Sequence, residues 1–355
     1  MMRWTAAVRL HRPLLTIAAL TAVTAVACAA GLLLDDRQLA GEPVWAKPLR
    51  FAVSITVYAV TLAWLLSALP RQGRAVRWAG AVAAVTLGLE QGLIVVQAAR
   101  GRHSHFNVAT SFDTTVLAVM AGTIGVLWLA TLVIAVALLR ARIADRPLVL
   151  ALRFGIIISL GGMLVGVLMV FPTADQVRAL DAGTGGLSGA HTVGRPDGGP
   201  GLPITGWSTV AGDLRVGHFV GIHALQALPL LAAGLALLAR RRPALTARRR
   251  ARLVAVGAGL YAAVTVLVTW QALRGQSVVH PDARTAGVAA ATATVAVAAA
   301  LLALRMPTPS GTPTAVATPG VARPPVARRP AAGSDVGRDP VASRACGCDP
   351  ASSAP

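Results

Sequence analysis

The chain of 355 residues is poor in charge and poorer still in acid: charged residues make up 13%, and 14 acids stand against 33 basic residues. Soluble domains carry about 25% charge. With a mean hydropathy of +0.65, that scarcity excludes a water-soluble globule. Lysine is almost missing, since Lys47 is the only one and arginine supplies nearly all of the formal +19. Aromatics are 4% of the chain, and the arginines sit in short clusters between apolar runs rather than among exposed rings, which excludes nucleic acid as the partner of that charge. Three cysteines, Cys28, Cys346 and Cys348, cannot make a disulfide framework. Gly-x-Ser-x-Gly, His-Glu-x-x-His, the Walker lysine motif and Cys-x-x-Cys are all missing, which points away from a soluble-type active site.

Long apolar runs are abundant. A bilayer core about 30 Å thick needs about 20 apolar residues per helix. Eight runs qualify: Pro13–Leu34, Phe51–Pro70, Trp78–Ala99, Thr114–Leu139, Leu148–Pro172, Val216–Ala239, Leu253–Leu273 and Thr285–Leu304. The sequence therefore predicts an all-α polytopic transmembrane bundle of about eight helices over residues 13–305, after a basic segment 1–12. If the N-terminus is cytoplasmic, the inner segments hold sixteen arginines and one acid, Asp145, whereas the outer segments hold ten basic residues diluted by nine acids. That asymmetry predicts both termini inside a bacterial cytoplasmic membrane, with the inner loops on anionic lipid. The first run continues through Leu32, Leu33 and Leu34 beyond Ala25-Val26-Ala27-Cys28, too long for a signal-peptide core of 7–15 residues, and is read as a span. Residues 306–355 turn to proline, alanine and serine with no apolar period, the composition of a disordered cytoplasmic tail. The one long connection, 173–214, is external and carries His191, Asp197 and Trp207; its Leu202-Pro203-Ile204 patch is expected to lie as a lid on helix ends.

A repeat is visible. The third run ends in Gln97-Ala98-Ala99-Arg100-Gly101 and the seventh in Gln271-Ala272-Leu273-Arg274-Gly275, while the second opens with Leu49-Arg50 and the sixth with Leu214-Arg215. Two parallel four-helix repeats account for these matches and for the even number of spans, and such repeats place sites at their interface.

Polar residues inside the membrane are costly and are site candidates by default. Glu90 and Gln97, seven residues apart, share one helical stripe; Arg215, His218, His223 and Gln226 share a face of the sixth span. Glu90 and His223 lie at similar depth, so a pair between them is expected to be open. Arg100, Arg215 and Arg274 would attract negative charge at the mouth. His103 and His105, with His218, form a candidate set for a divalent metal, and a haem or metal redox site would take His218 or His223 with His103 or His105; otherwise no cofactor is expected.

Trp45-Ala46-Lys47-Pro48-Leu49-Arg50, Arg102-His103-Ser104-His105-Phe106-Asn107 and Asp213-Leu214-Arg215-Val216-Gly217-His218-Phe219 with His223-Ala224-Leu225-Gln226 resemble a group of actinobacterial multi-pass membrane proteins over most of residues 40–285. No activity is attached to that group, so the resemblance implies an architecture and no chemistry. Eight helices in two halves also resembles haem A synthase, which uses helix-borne histidines in both halves; here only the sixth span has them. The residues together predict an outward-facing polar cavity between the halves that binds or passes a small polar or anionic solute. Glu90 would carry a proton, and His223 and Gln226 would hold the solute. The alternatives are a haem- or metal-binding redox protein on the outer histidines, and a non-catalytic envelope interaction protein.

Overall fold

The computed structural model describes residues 10–307, so the first nine residues and all but the first two residues of the expected tail lie outside it. In chain order the helices are α1 (Arg12–Leu34), α2 (Ala46–Ala68), α3 (Arg74–Ala99), α4 (Ser111–Arg140), α5 (Arg146–Leu168), α6 (Ala174–Asp181), α7 (Leu214–Ile222), α8 (Ala224–Arg241), α9 (Ala247–Leu273) and α10 (Ala283–Arg305). Eight of them, all but α6 and α7, are long and apolar enough to cross a bilayer. The chain is an integral membrane protein built as an all-α bundle.

Local chemistry sets the helix limits. Thr110, Asp145, Thr246 and Asp282 each accept a backbone N–H at the start of α4, α5, α9 and α10, so these helices begin ahead of the apolar runs that follow. At the ends of α3 and α9, Gly101 (φ 67°) and Gly275 (φ 73°) take the left-handed conformation that costs glycine nothing. Gly101 N–H then bonds Ala98 O at 2.9 Å and Arg102 N–H bonds Gln97 O at 2.9 Å; Gly275 and Gln276 repeat this with Ala272 and Gln271 at 2.9 and 3.2 Å. The repeated Gln-Ala-x-Arg-Gly is thus, locally, a helix stop.

The repetition extends to the packing. In the first four spans α1 packs on α2 and α3, α2 on α3, and α3 on α4. In the last four, α5 packs on α7, α8 and α9, α7 and α8 pack on α9, and α9 packs on α10, the same scheme with α4 and α5 joining the halves. A two-residue-strand hairpin, β1 (Gln38–Leu39) with β2 (Glu42–Pro43), precedes α2; β3 (Thr192–Val193) pairs antiparallel with β4 (Gly212–Asp213) just before α7. The largest buried apolar cluster, including Leu14, Leu66, Leu138, Leu152 and Leu225, fills the end of the bundle that carries the short arginine-rich connections. Buried polar side chains gather at the other end, beneath the 173–213 connection.

The sixth span departs from the expected continuous helix over Val216–Ala239. It breaks at His223, between α7 and α8. The Val220 carbonyl accepts the Tyr261 hydroxyl at 2.7 Å, and Gln226 N–H turns to the His223 carbonyl at 3.0 Å. Glycines on α5 bring the two backbones together there, since a Cβ on Gly162 would overlap the Gly221 backbone and one on Gly155 would lie 3.0 Å from the Ala224 carbonyl. Such close approach is what small residues provide in membrane bundles.

Candidate functional site

One arginine from each half reaches the same turn, and Arg215 bonds it more closely than Arg50 does. Arg50, the second residue of Leu49-Arg50, bonds Glu42 and donates from Nη1 to the Ile204 carbonyl at 3.5 Å. Arg215, its counterpart in Leu214-Arg215, bonds Asp213 at 2.7 Å and donates to the Gly206 carbonyl at 2.6 Å. The turn between them is closed by Gly206 N–H to Leu202 O at 2.9 Å and Leu202 N–H to Trp207 O at 2.8 Å. Ile204 sits in it at φ 70° and is 90% exposed, so the Leu202-Pro203-Ile204 patch does not pack down on helix ends as expected. A β-branched residue in the left-handed region costs on the order of 1–3 kcal/mol, so the surrounding bonds must hold it there. Trp207 packs edge-on against Phe219 (5.8 Å), and Phe219 against the His223 ring (4.2 Å).

Below the turn lies a polar seam. His223 Nδ1 faces Gln226 Oε1 at 3.2 Å, and Gln226 Nε2 donates to Thr61 Oγ1 of the other half at 3.1 Å. In that network Nδ1 carries the proton and Nε2 offers its lone pair; Nε2 is buried with no hydrogen-bond partner. Thr61 and Gln226 each stand eleven residues after their own Leu-Arg arginine, so the bond that crosses the seam joins matching positions of the repeat.

Glu90 lies in the interior as expected, 2% exposed, with partners other than the expected His223. His105 Nε2 stands 3.4 Å from Oε1, and Thr123 Oγ1 stands 3.4 Å from Oε2. Oε1 makes no hydrogen bond. His105 reaches Glu90 because the 101–110 connection folds back: Phe106 adopts φ 63°, its carbonyl accepts Ser188 N–H at 2.7 Å, and Val108 N–H bonds Gly186 O at 2.9 Å. Phe106 also touches the His191 ring (4.9 Å), whose Nδ1 lies 2.8 Å from Asp197 Oδ2. Two histidine–carboxylate couples, Glu90–His105 and Asp197–His191, therefore stand in one region. Lys47 lies within electrostatic reach of both carboxylates.

The other expected site residues bond to neighbouring side chains and backbone. Gln97 Nε2 and Arg100 Nη1 both bond Asp113 Oδ1, at 2.9 and 2.7 Å. Arg274 bonds Asp282 at 2.6 Å, and Arg215 bonds Asp213; each arginine expected at a mouth is already paired. His218 Nδ1 lies 2.8 Å from the Gly162 carbonyl, and among the described residues no group of three or more His, Cys, Asp or Glu side chains could hold a metal, so His103, His105 and His218 do not converge as the metal reading requires. The residues sequence reasoning left unassigned are Lys47, Thr61, Asp113, Thr123 and the His191–Asp197 couple. Lys47 had a signal, being the only lysine where arginine does every other anchoring task.

Burial holds the imidazoles of His103, His105 and His191 below the ordinary histidine value, His105 well below, with the positive charge of Lys47 acting in the same direction on each. At Asp197 burial raises the carboxyl, but the His191 and Thr192 bonds outweigh it and hold it below the usual carboxylate range. An imidazole so depressed takes up its proton more readily in the unfolded chain. Its stabilising effect is thus complete above about pH 6.5 and lost as pH falls from there towards the folded value. In detergent, His105→Gln should lose less melting temperature than the parent protein as pH falls from 7.5 to 5.5. An unchanged slope in the variant would show that His105 is not a source of the acid sensitivity. Comparisons with protein families, with curated proteins and with solved structures found no match to this chain.

Proposed function

We propose that the protein binds and passes a small polar or anionic solute between its two halves, in a bacterial cytoplasmic membrane with both termini inside and the 173–213 connection outside. The observation that carries this reading is the turn at 202–206, bonded by Arg215 of one half and reached by Arg50 of the other, over the seam formed by His223, Gln226 and Thr61. Discontinuous spans with polar groups at the break are where membrane carriers place their sites. In this reading the structure is the closed form and the turn is the lid. The buried Nε2 lone pair of His223 and the amide of Gln226 would contact the solute, and Glu90 with His105 would hold a proton nearby. The basic end would rest on anionic lipid.

Cysteine accessibility tests it. In a chain with Cys28, Cys346 and Cys348 replaced by alanine, Thr61→Cys should react slowly in intact cells with a charged, membrane-impermeant methanethiosulfonate. Trp207→Ala, which removes the contact between the lid and Phe219, should speed that reaction about tenfold, the equivalent of one aromatic contact. An introduced thiol that stays unreactive in both backgrounds would leave no water path beneath the turn and end this reading.

A further inference from the structure

We infer that a second site, separate from the seam and confined to the first half, binds an oxyanion, a carboxylate or a phosphate, through Lys47. Between the hairpin, the first turn of α2 and the end of α3 lies a pocket of about 30 Å³ whose polar lining is Lys47, Arg102, His103 and Ser104, with no carboxylate in its wall. The remaining wall is apolar, including Ala98. A space of that size holds one or two waters, and therefore the oxygens of a single acidic group. The rest of such a ligand would leave over the apolar wall.

The cations in this pocket are uncommitted. Arg50, Arg100, Arg215 and Arg274, at the same end of the bundle, each have a carboxylate partner. The Lys47 ammonium and the Arg102 guanidinium make no ion pair with any described residue; Glu90 and Asp197 act on Lys47 from a distance and lie outside the wall. An ammonium, a guanidinium and an imidazole converging without an acid form a donor set for oxyanions, beside a Ser104 hydroxyl already bonded to His105 Nδ1 at 3.0 Å.

The repeat supplies the second argument. Lys47 stands three residues before Arg50, the place that Gly212 takes before Arg215, and Ala98 matches Ala272. In the second half this corner is shut: a Cβ on Gly212 would overlap the Ala272 backbone, Gln271 Nε2 bonds Ser277 O at 2.7 Å, and Ser277 Oγ bonds Ser208 O at 2.9 Å. Where the first half carries Arg102-His103-Ser104, the second carries Gln276-Ser277-Val278. Anchoring to headgroups would give no reason for the two corners to differ in this way; a ligand on one of them would.

The single lysine makes the test direct. Reductive methylation of the full chain with isotopically labelled formaldehyde, in an uncharged detergent, marks Lys47 and the α-amine. The methyl resonance of Lys47 is then followed by NMR during titration with inorganic phosphate, with acetate and with a short-chain phosphatidylglycerol. The Lys47 signal should move saturably with at least one probe while the α-amine signal stays put, and Arg102→Gln should weaken that response about tenfold, as loss of one charge-assisted contact does. A response to phosphate or acetate identifies a dissolved oxyanion, and a response to the lipid alone identifies a headgroup. If Lys47 moves no more than the α-amine with all three, or if a folded Arg102→Gln titrates like wild type, the site does not exist. The wild-type titration decides even if the variant fails to fold. Reactivity at Thr61→Cys is independent of either result, so failure here leaves the lid reading standing and failure there leaves this pocket standing.

Discussion

Asp213→Ala should destabilise the folded protein by about 3–5 kcal/mol, the range for removing one partner of a buried ion pair. Asp213 is 2% exposed and gathers four donors: Arg215 Nη2 at 2.7 Å, Arg215 Nε and backbone N–H at 3.0 Å, and Ser208 N–H at 2.8 Å. The substitution removes the cap of α7, strands the guanidinium that holds Gly206 O, and frees Ser208 at the base of the 202–206 turn. Glu42, the matching acid in the first half, is a third exposed and sits on a short hairpin. Glu42→Ala should therefore cost no more than about 1 kcal/mol, as exposed pairs do. Denaturation of both variants in detergent checks the contrast. Equal losses would show that the turn at 202–206 bears on both arginines alike and that burial of Asp213 is not what anchors it.

The turn at 202–206 and the seam were only partly legible in the sequence. Apolar runs identify spans because a bilayer demands about 20 apolar residues whatever the neighbours are, and the eight runs correspond to the eight spans. Their starts were less legible, since Thr110, Asp145 and Asp282 carry each helix out past its apolar stretch by capping it. The break at His223 left no mark in hydropathy. The close packing of α5 at the break uses glycine at 155 and 162, a property of the partner helix. Depth arithmetic sets Glu90 level with His223 and offers them as a pair, yet it compares only residues on helices; the connection that folds back at Phe106 brings His105 to Glu90 instead. Periodicity carries no information about how a loop returns. The repeat was legible in a few residues, Leu-Arg and Gln-Ala-x-Arg-Gly, and the packing scheme extends it to positions with no sequence identity, such as Thr61 and Gln226.

Gln97 and Arg100 read in the sequence as candidates for contact with a solute, and Asp113 decides between that and a framing role. Asp113 is 1% exposed and accepts from Gln97 Nε2 at 2.9 Å, Arg100 Nη1 at 2.7 Å and Thr110 Oγ1 at 2.8 Å, while its own N–H is capped by Thr110 at 3.1 Å. It ties the end of α3 to the start of α4 directly beside the connection that delivers His105 to Glu90. Asp113→Ala leaves the fully buried Gln97 amide without its acceptor, at a cost of roughly 1–3 kcal/mol, and takes the guanidinium's partner as well. The expected result is a clear fall in melting temperature together with loss of the acid sensitivity that His105 contributes, because the 101–110 connection is no longer held against α4. Asp282→Ala, at the corresponding corner of the second half, removes a partly exposed pair with Arg274 and the cap of α10, with no fully buried amide left unpaired, and should lower the melting temperature less. If Asp113→Ala melts like wild type and keeps the same pH slope, then Gln97 and Arg100 are not bound up in the frame, and their amide and guanidinium are again free to meet a solute.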